Sequence, residues 1–118
     1  MGIIDNGTTV WVVETTFPYL IIEGNVKHYS PQKLYDNTTL KYYQVYFEVY
    51  DRLYLYAHEQ LFVDREKAVE SRKGLIRRHI QYTQSSVEEY EQDIERILSD
   101  INEMKQHINE LEKLLKDE

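Results

Sequence analysis

With 118 residues, 42% hydrophobic and 30% charged, the chain is sized for one compact domain and is neither disordered nor membrane-like in composition. It has no cysteine, which excludes disulfides, thiolate nucleophiles, iron–sulfur clusters and cysteine zinc sites. A net charge of −7 argues against a polyanionic partner such as duplex nucleic acid.

Met1-Gly2-Ile3-Ile4-Asp5-Asn6 has no basic or long apolar stretch, so neither a signal peptide nor a membrane span is expected and a cytoplasmic location is. The first 63 residues are rich in Val, Ile, Tyr, Phe and Thr and read as an antiparallel β-domain. Strands are expected at Thr8 to Glu14, at Tyr19 to Glu23 after a turn at Thr15–Pro18, and at Val26 to Tyr29. Gly24-Asn25 reads as a two-residue hairpin turn, because both residues tolerate positive φ. Ser30 to Thr39, with Pro31 and Asp36-Asn37, reads as a loop.

Leu40 to Val49 and Leu53 to Ala57 alternate with period 2 and form the clearest strand pair. A three-residue loop, Tyr50-Asp51-Arg52, would pair Val49 with Leu53 and Phe47 with Leu55. That register puts Tyr42, Tyr46, Tyr54 and Tyr56 on one face, with Tyr50 in the loop. The tyrosine row has two readings. It completes a core with its hydroxyls at the rim, or it forms a rigid aromatic contact surface for a protein or a nucleobase. A short strand at Gln60 to Val63 closes the half.

At Asp64, a candidate N-cap followed by Glu66, the pattern changes to helix over 64–118. Gly74 lies inside the helical pattern, suggesting a close helix contact. Val87, Ile94, Ile101, Ile108 and Leu115 fall at a, and Tyr90, Ile97, Met104 and Leu111 at d, a coiled-coil seam over 87–115. In a parallel pair, Asp100 meets Lys105 and His107 meets Glu112, while Asp93 meets Leu98. The seam predicts a homo-oligomer, dimer or higher.

Arg65 to Arg78 carries a net charge of +4, and Glu88 to Glu103 a net of −6. A helical hairpin turning at Thr83 to Ser86 would bring these blocks together, and Ser85 and Ser86 each start a capping-box pattern. The heptad register running through Ile76, Ile80 and Thr83 favours one continuous helix instead. The hairpin is the reading adopted, with the basic run Arg72-Lys73, Arg77-Arg78 as a paired face rather than a phosphate site. The fold class is therefore α+β: a small antiparallel sheet or SH3-like barrel, then a helical hairpin ending in a coiled coil.

His28, His58, His79 and His107 form no metal-binding spacing, and no P-loop, nucleophile elbow or dinucleotide motif is present. Neither an enzyme nor a bound metal or cofactor is expected. Leu61-Phe62-Val63-Asp64-Arg65-Glu66-Lys67-Ala68, after strands starting at Val10-Trp11-Val12-Val13, resembles small phage and mobile-element accessory proteins with an N-terminal β-domain and a C-terminal helical region. The resemblance implies a phage origin and action by binding a host defence protein or its nucleotide signal. The expected function is non-enzymatic protein binding to a host protein through Tyr42, Tyr46, Tyr50, Tyr54, Tyr56, Arg52 and loops 30–39 and 50–52. The alternatives are a sponge for a small nucleotide, using Arg52, Lys41 and Lys27 on phosphates, and a purely structural assembly role.

Overall fold

Every second residue along the central strands is apolar, and the computed structural model, which describes residues 2–117, buries that set. Its elements are β1 (Thr9–Val13), β2 (Ile21–Tyr29), β3 (Gln32–Lys33), β4 (Thr39–Leu40), β5 (Tyr42–Phe47), β6 (Arg52–Ala57), a 3-10 turn at His58–Gln60 and one helix, α1 (Arg65–Lys116). Strands β1-β2-β5-β6 form a four-stranded antiparallel sheet in that order. The fold is α+β. The barrel alternative reduces to one bridge between Trp11 and Phe62, which ties the chain after β6 to the outer edge of β1. The short strand expected at Gln60 to Val63 is this single bridge following the 3-10 turn.

The core is Val10, Val12, Val26, Tyr43, Val45, Phe47 and Leu61, with Ile4, Ile22, Tyr29 and Tyr56 packed against it. Tyr43 is fully buried, yet its hydroxyl is satisfied: it accepts the Ile4 N–H at 3.1 Å and lies 3.3 Å from His58 Nδ1.

The hairpin turn expected at Gly24-Asn25 is not there. Both residues lie inside β2, paired with Val10 and Thr9 of β1. A Cβ on Gly24 would sit 2.7 Å from Val45 Cγ1 and 2.8 Å from Phe47 Cε1. The glycine therefore makes room for the β5 side chains and marks a close approach rather than a turn. The β1–β2 connection is the segment closed by the Glu14 N–H to Leu20 carbonyl bond, where Tyr19 takes a positive φ of 60°. Segment 30–39 is also not all loop: β3 and β4 pair with each other there, and Asn37 turns at φ 66°.

At its start α1 follows the sequence. Asp64 Oδ1 accepts the Glu66 N–H at 3.0 Å, and the Asp64 carbonyl accepts the Lys67 N–H at 3.1 Å, which satisfies donors otherwise orphaned in the first turn. The expected helical hairpin is overturned: residues 81–86 are helical throughout. Nothing in that stretch forces a break, since it holds no Gly or Pro, and Ser, Thr and Gln cost only tenths of a kcal/mol each in a helix. The uninterrupted heptad register wins over the capping-box patterns. Arg72 has partners in the sheet unit. It donates from Nε to the Tyr19 carbonyl at 2.8 Å and from Nη2 to the Pro18 carbonyl at 3.2 Å, pinning the β1–β2 connection. Gly74 makes no close contact, for a Cβ there would meet nothing within 4 Å.

Contacts divide the chain into two units, one ending at Arg77 and the other starting at Arg78. The first holds the sheet and the opening turns of α1, where Ala68 is fully buried and Val69, Leu75 and Ile76 are half-buried. The second is helix through Lys116.

Candidate functional site

The β5–β6 register decides where the tyrosines go. Phe47 pairs with Arg52, Tyr46 with Leu53, Val45 with Tyr54 and Tyr43 with Tyr56. The connection is therefore the four residues 48–51, not the three-residue loop 50–52, and Asp51 takes the left-handed position at φ 50°. Aspartate tolerates that conformation at small cost, so the turn does not need a glycine.

This register shifts the pairing by an odd number of residues, which moves β6 side chains to the opposite face. The single tyrosine face is thus corrected to two. Directly paired residues share a face, so Tyr54 and Tyr56 lie on the core face with Val45 and Tyr43. Tyr42 and Tyr46 lie on the outer face with Ala57 and Leu53.

On the core face, Phe47 is the hub. Its ring centroid is 5.6 Å from Tyr56, 6.0 Å from Tyr54 and 6.2 Å from Tyr50, and the Tyr50 and Tyr54 rings meet edge-on at 6.1 Å. The Tyr50 hydroxyl donates to Glu14 Oε1 at 3.2 Å. Desolvation among the rings, then the bond to Glu14, raises the Tyr50 hydroxyl above its ordinary value near 10. Desolvation and the Glu14 charge raise Tyr56 likewise. Beside this cluster, Val12, Glu14, Tyr56, Glu59, Phe62 and Leu75 help line a cleft of about 400 Å³.

On the outer face, Tyr46 donates to Asp51 Oδ1 at 2.5 Å, and that bond is the main reason its hydroxyl is raised. Lys27 Nζ lies 5.9 Å from the Tyr46 ring centroid. Lys27 is the extra residue of a bulge, since β2 pairs Val26 with Val45 and His28 with Gln44.

The three cations considered for a phosphate do not converge. Lys41 accepts the His58 N–H at one end of the β5–β6 hairpin, while Arg52 pairs with Phe47 at the other. Six residue steps lead from Lys41 to Phe47, roughly 20 Å at about 3.3 Å per step. The groove holding Lys27 and Tyr46, about 330 Å³, is also lined by Glu23 and Glu48, whose carboxylates oppose a phosphate.

Two residues missed by the sequence reading complete the surface. Strand β6 lies at the sheet's edge. The bond from His58 N–H to the Lys41 carbonyl fixes the phase of the ladder, so Arg52, Tyr54 and Tyr56 direct their backbone groups to β5. Leu53, Leu55 and Ala57 direct theirs to the free edge. The Ala57 N–H is capped by Gln60 Oε1 at 2.9 Å. Leu53 and Leu55 therefore offer an edge-facing N–H and carbonyl, with side chains each 53% exposed and Tyr54 between them 41% exposed. The signal was Leu-Tyr-Leu-Tyr itself, apolar on both faces and free of Pro or charge over those four residues.

In the second unit the seam residues Val87, Tyr90, Ile94, Ile97, Ile101, Met104, Ile108, Leu111 and Leu115 are all present on the helix and all exposed, from 40% at Ile101 to 77% at Leu115. Among the described residues, no helix is long and apolar enough to cross a membrane.

No protein-family model, no curated protein and no solved structure matches the chain.

Proposed function

We propose that the chain is a non-enzymatic protein-binding module that presents the β5–β6 hairpin to a host protein and self-associates through residues 87–115. In this reading it is a phage-encoded inhibitor of a host defence protein, acting in the host cytoplasm by stoichiometric capture. The observation that carries the binding role is the uncovered edge of β6, where the backbone groups of Leu53 and Leu55 are flanked by exposed Leu and Tyr side chains. An extended partner segment adds to such an edge through main-chain bonds and gains specificity from alternate side chains. Tyr46, Tyr50 and Tyr54 supply large contact area at small entropy cost, held in place by Asp51, Glu14 and Phe47. Self-association is supported by the seam, because a helix does not keep a continuous apolar stripe in water without a covering partner.

The test is capture from host lysate by the full chain, against Leu53→Lys/Leu55→Lys and Tyr54→Ala variants. The expected result is one partner retained at fixed stoichiometry by the parent and lost from the edge variant, whose circular dichroism is unchanged. Capture that survives both edge lysines would sink the hairpin as the binding surface, and an absence of any specific partner would favour a purely structural assembly role.

A further inference from the structure

We infer that the second unit pairs with a second copy of itself in the antiparallel sense, with the two-fold axis beside Leu98. This rests on the self-association proposed above and adds the partner's orientation. Residues 81–86 are helical, so no turn there separates the acidic block Glu88–Glu103 from the rest of α1. Its apolar stripe is exposed along its whole length. From Val87 to Leu111 the stripe is self-complementary: with Val87 opposite Leu111 of the second copy, Tyr90 meets Ile108, Ile94 meets Met104 and Ile97 meets Ile101, so these layers are apolar, while Leu115 lies beyond them opposite Thr83.

Three features favour the antiparallel sense. First, Leu98, 55% exposed, flanks the seam. A parallel pair sets it against Asp93, whereas the antiparallel register sets it against Leu98 of the second copy. Second, a parallel pair lays the net −6 block beside an identical −6 block. In the antiparallel register Glu88–Glu103 lies beside residues 95–110, whose net charge is −2. Third, Glu91 then meets Lys105, and Asp93 meets His107, each twice by symmetry. One contact opposes the arrangement: Asp100 meets Asp100 of the second copy near the axis. In a parallel pair Asp100 instead meets Lys105, so the two orientations give one substitution opposite signs.

The chain has no cysteine, so single cysteines report orientation cleanly. Full-length Val87→Cys and Leu111→Cys chains, mixed and oxidised, are expected to give the mixed disulfide. Two copies of Val87 lie about 36 Å apart in the antiparallel register and form none. Asp100→Asn is expected to tighten the dimer about two- to five-fold by sedimentation equilibrium. Homodisulfides of Val87→Cys, or a dimer loosened by Asp100→Asn, would overturn the orientation and leave self-association standing. A parent chain that sediments as a monomer would overturn both.

Discussion

In the sheet unit Val10, Val26, Tyr43 and Val45 are fully buried, while in the helix beyond Arg78 no seam residue is less than 40% exposed. Both regions carry an apolar periodicity, period 2 in the strands and 4-3 in the helix. The strands find their cover within the chain, through neighbouring strands, Leu61 and Ile4. The helix beyond Arg78 carries its stripe exposed. Periodicity thus identifies a face that requires cover without saying which molecule provides it. Most helical stability in proteins comes from packing an amphipathic face, so under the self-association proposed above the helix beyond Arg78 draws its stability from the second copy.

Substitution of the two most comparable residues breaks this comparison most directly. Phe47→Ala removes a buried hub ring and is expected to cost about 3–5 kcal/mol, read from urea unfolding by the fluorescence of Trp11, the chain's one tryptophan. Ile101→Ala deletes an apolar side chain in the bare seam and is expected to leave the Trp11 transition in place while making helix content more dependent on protein concentration. Equal shifts of the Trp11 transition by both variants would mean that the two regions do not stabilise independently.

Next in size is Gly24→Ala. Its Cβ would meet Val45 and Phe47 at distances that real side chains do not tolerate. The expected cost is about 1–3 kcal/mol. A neutral result would show that β5 gives way easily and that the glycine's role is not steric.

Gly24 also marks the limit of what could be read in advance. The β-half, the N-cap at Asp64 and the helical half were legible, because alternation, capping chemistry and helical periodicity are local signals. The continuity of β2 through Gly24-Asn25 was not, because a glycine that admits a neighbouring strand and a glycine that turns look identical in sequence. The β5–β6 register differs from the expected one by an odd shift, because Asp51 rather than a glycine holds the positive φ of the turn, and an aspartate does not announce that position in sequence. That one turn decided which face each tyrosine occupies and hid the exposed pair Leu53 and Leu55. The helix read as a hairpin for a different reason: opposite charges summed over blocks outweighed an unbroken register, although Arg72 had nearer acceptors in Pro18 and Tyr19.

Two positions in the helix's opening turns give smaller, opposite effects. Asp64→Ala removes the acceptor for the Glu66 N–H and is expected to cost about 1 kcal/mol, most of it recovered in Asp64→Asn. Gly74→Ala meets open space and is expected to add about 0.5–1 kcal/mol, by lowering the backbone entropy lost on folding. Thermal unfolding followed by Trp11 separates the pair by sign. A destabilising Gly74→Ala would reveal a helix contact at that position after all.

The smallest effect is confined to alkaline pH and to the sheet unit. The Tyr46 hydroxyl is raised above 10 chiefly because it donates to Asp51, and ionisation would destroy that donor beside a carboxylate. A hydroxyl whose folded value lies above its unfolded one contributes its full stability below pH 10 and loses it as pH climbs through the folded value. Tyr50 and Tyr56, raised by desolvation and by Glu14, act in the same direction. The urea midpoint reported by Trp11 is therefore expected to fall above about pH 10, and Tyr46→Phe is expected to make that fall shallower. The Asp51 turn, with its left-handed backbone, loses its tyrosine donor in that variant at every pH, so a small uniform decrease accompanies the flatter slope. A slope unchanged in Tyr46→Phe and in Tyr50→Phe would assign the alkaline loss to general charge repulsion on an already acidic chain rather than to these two hydrogen bonds.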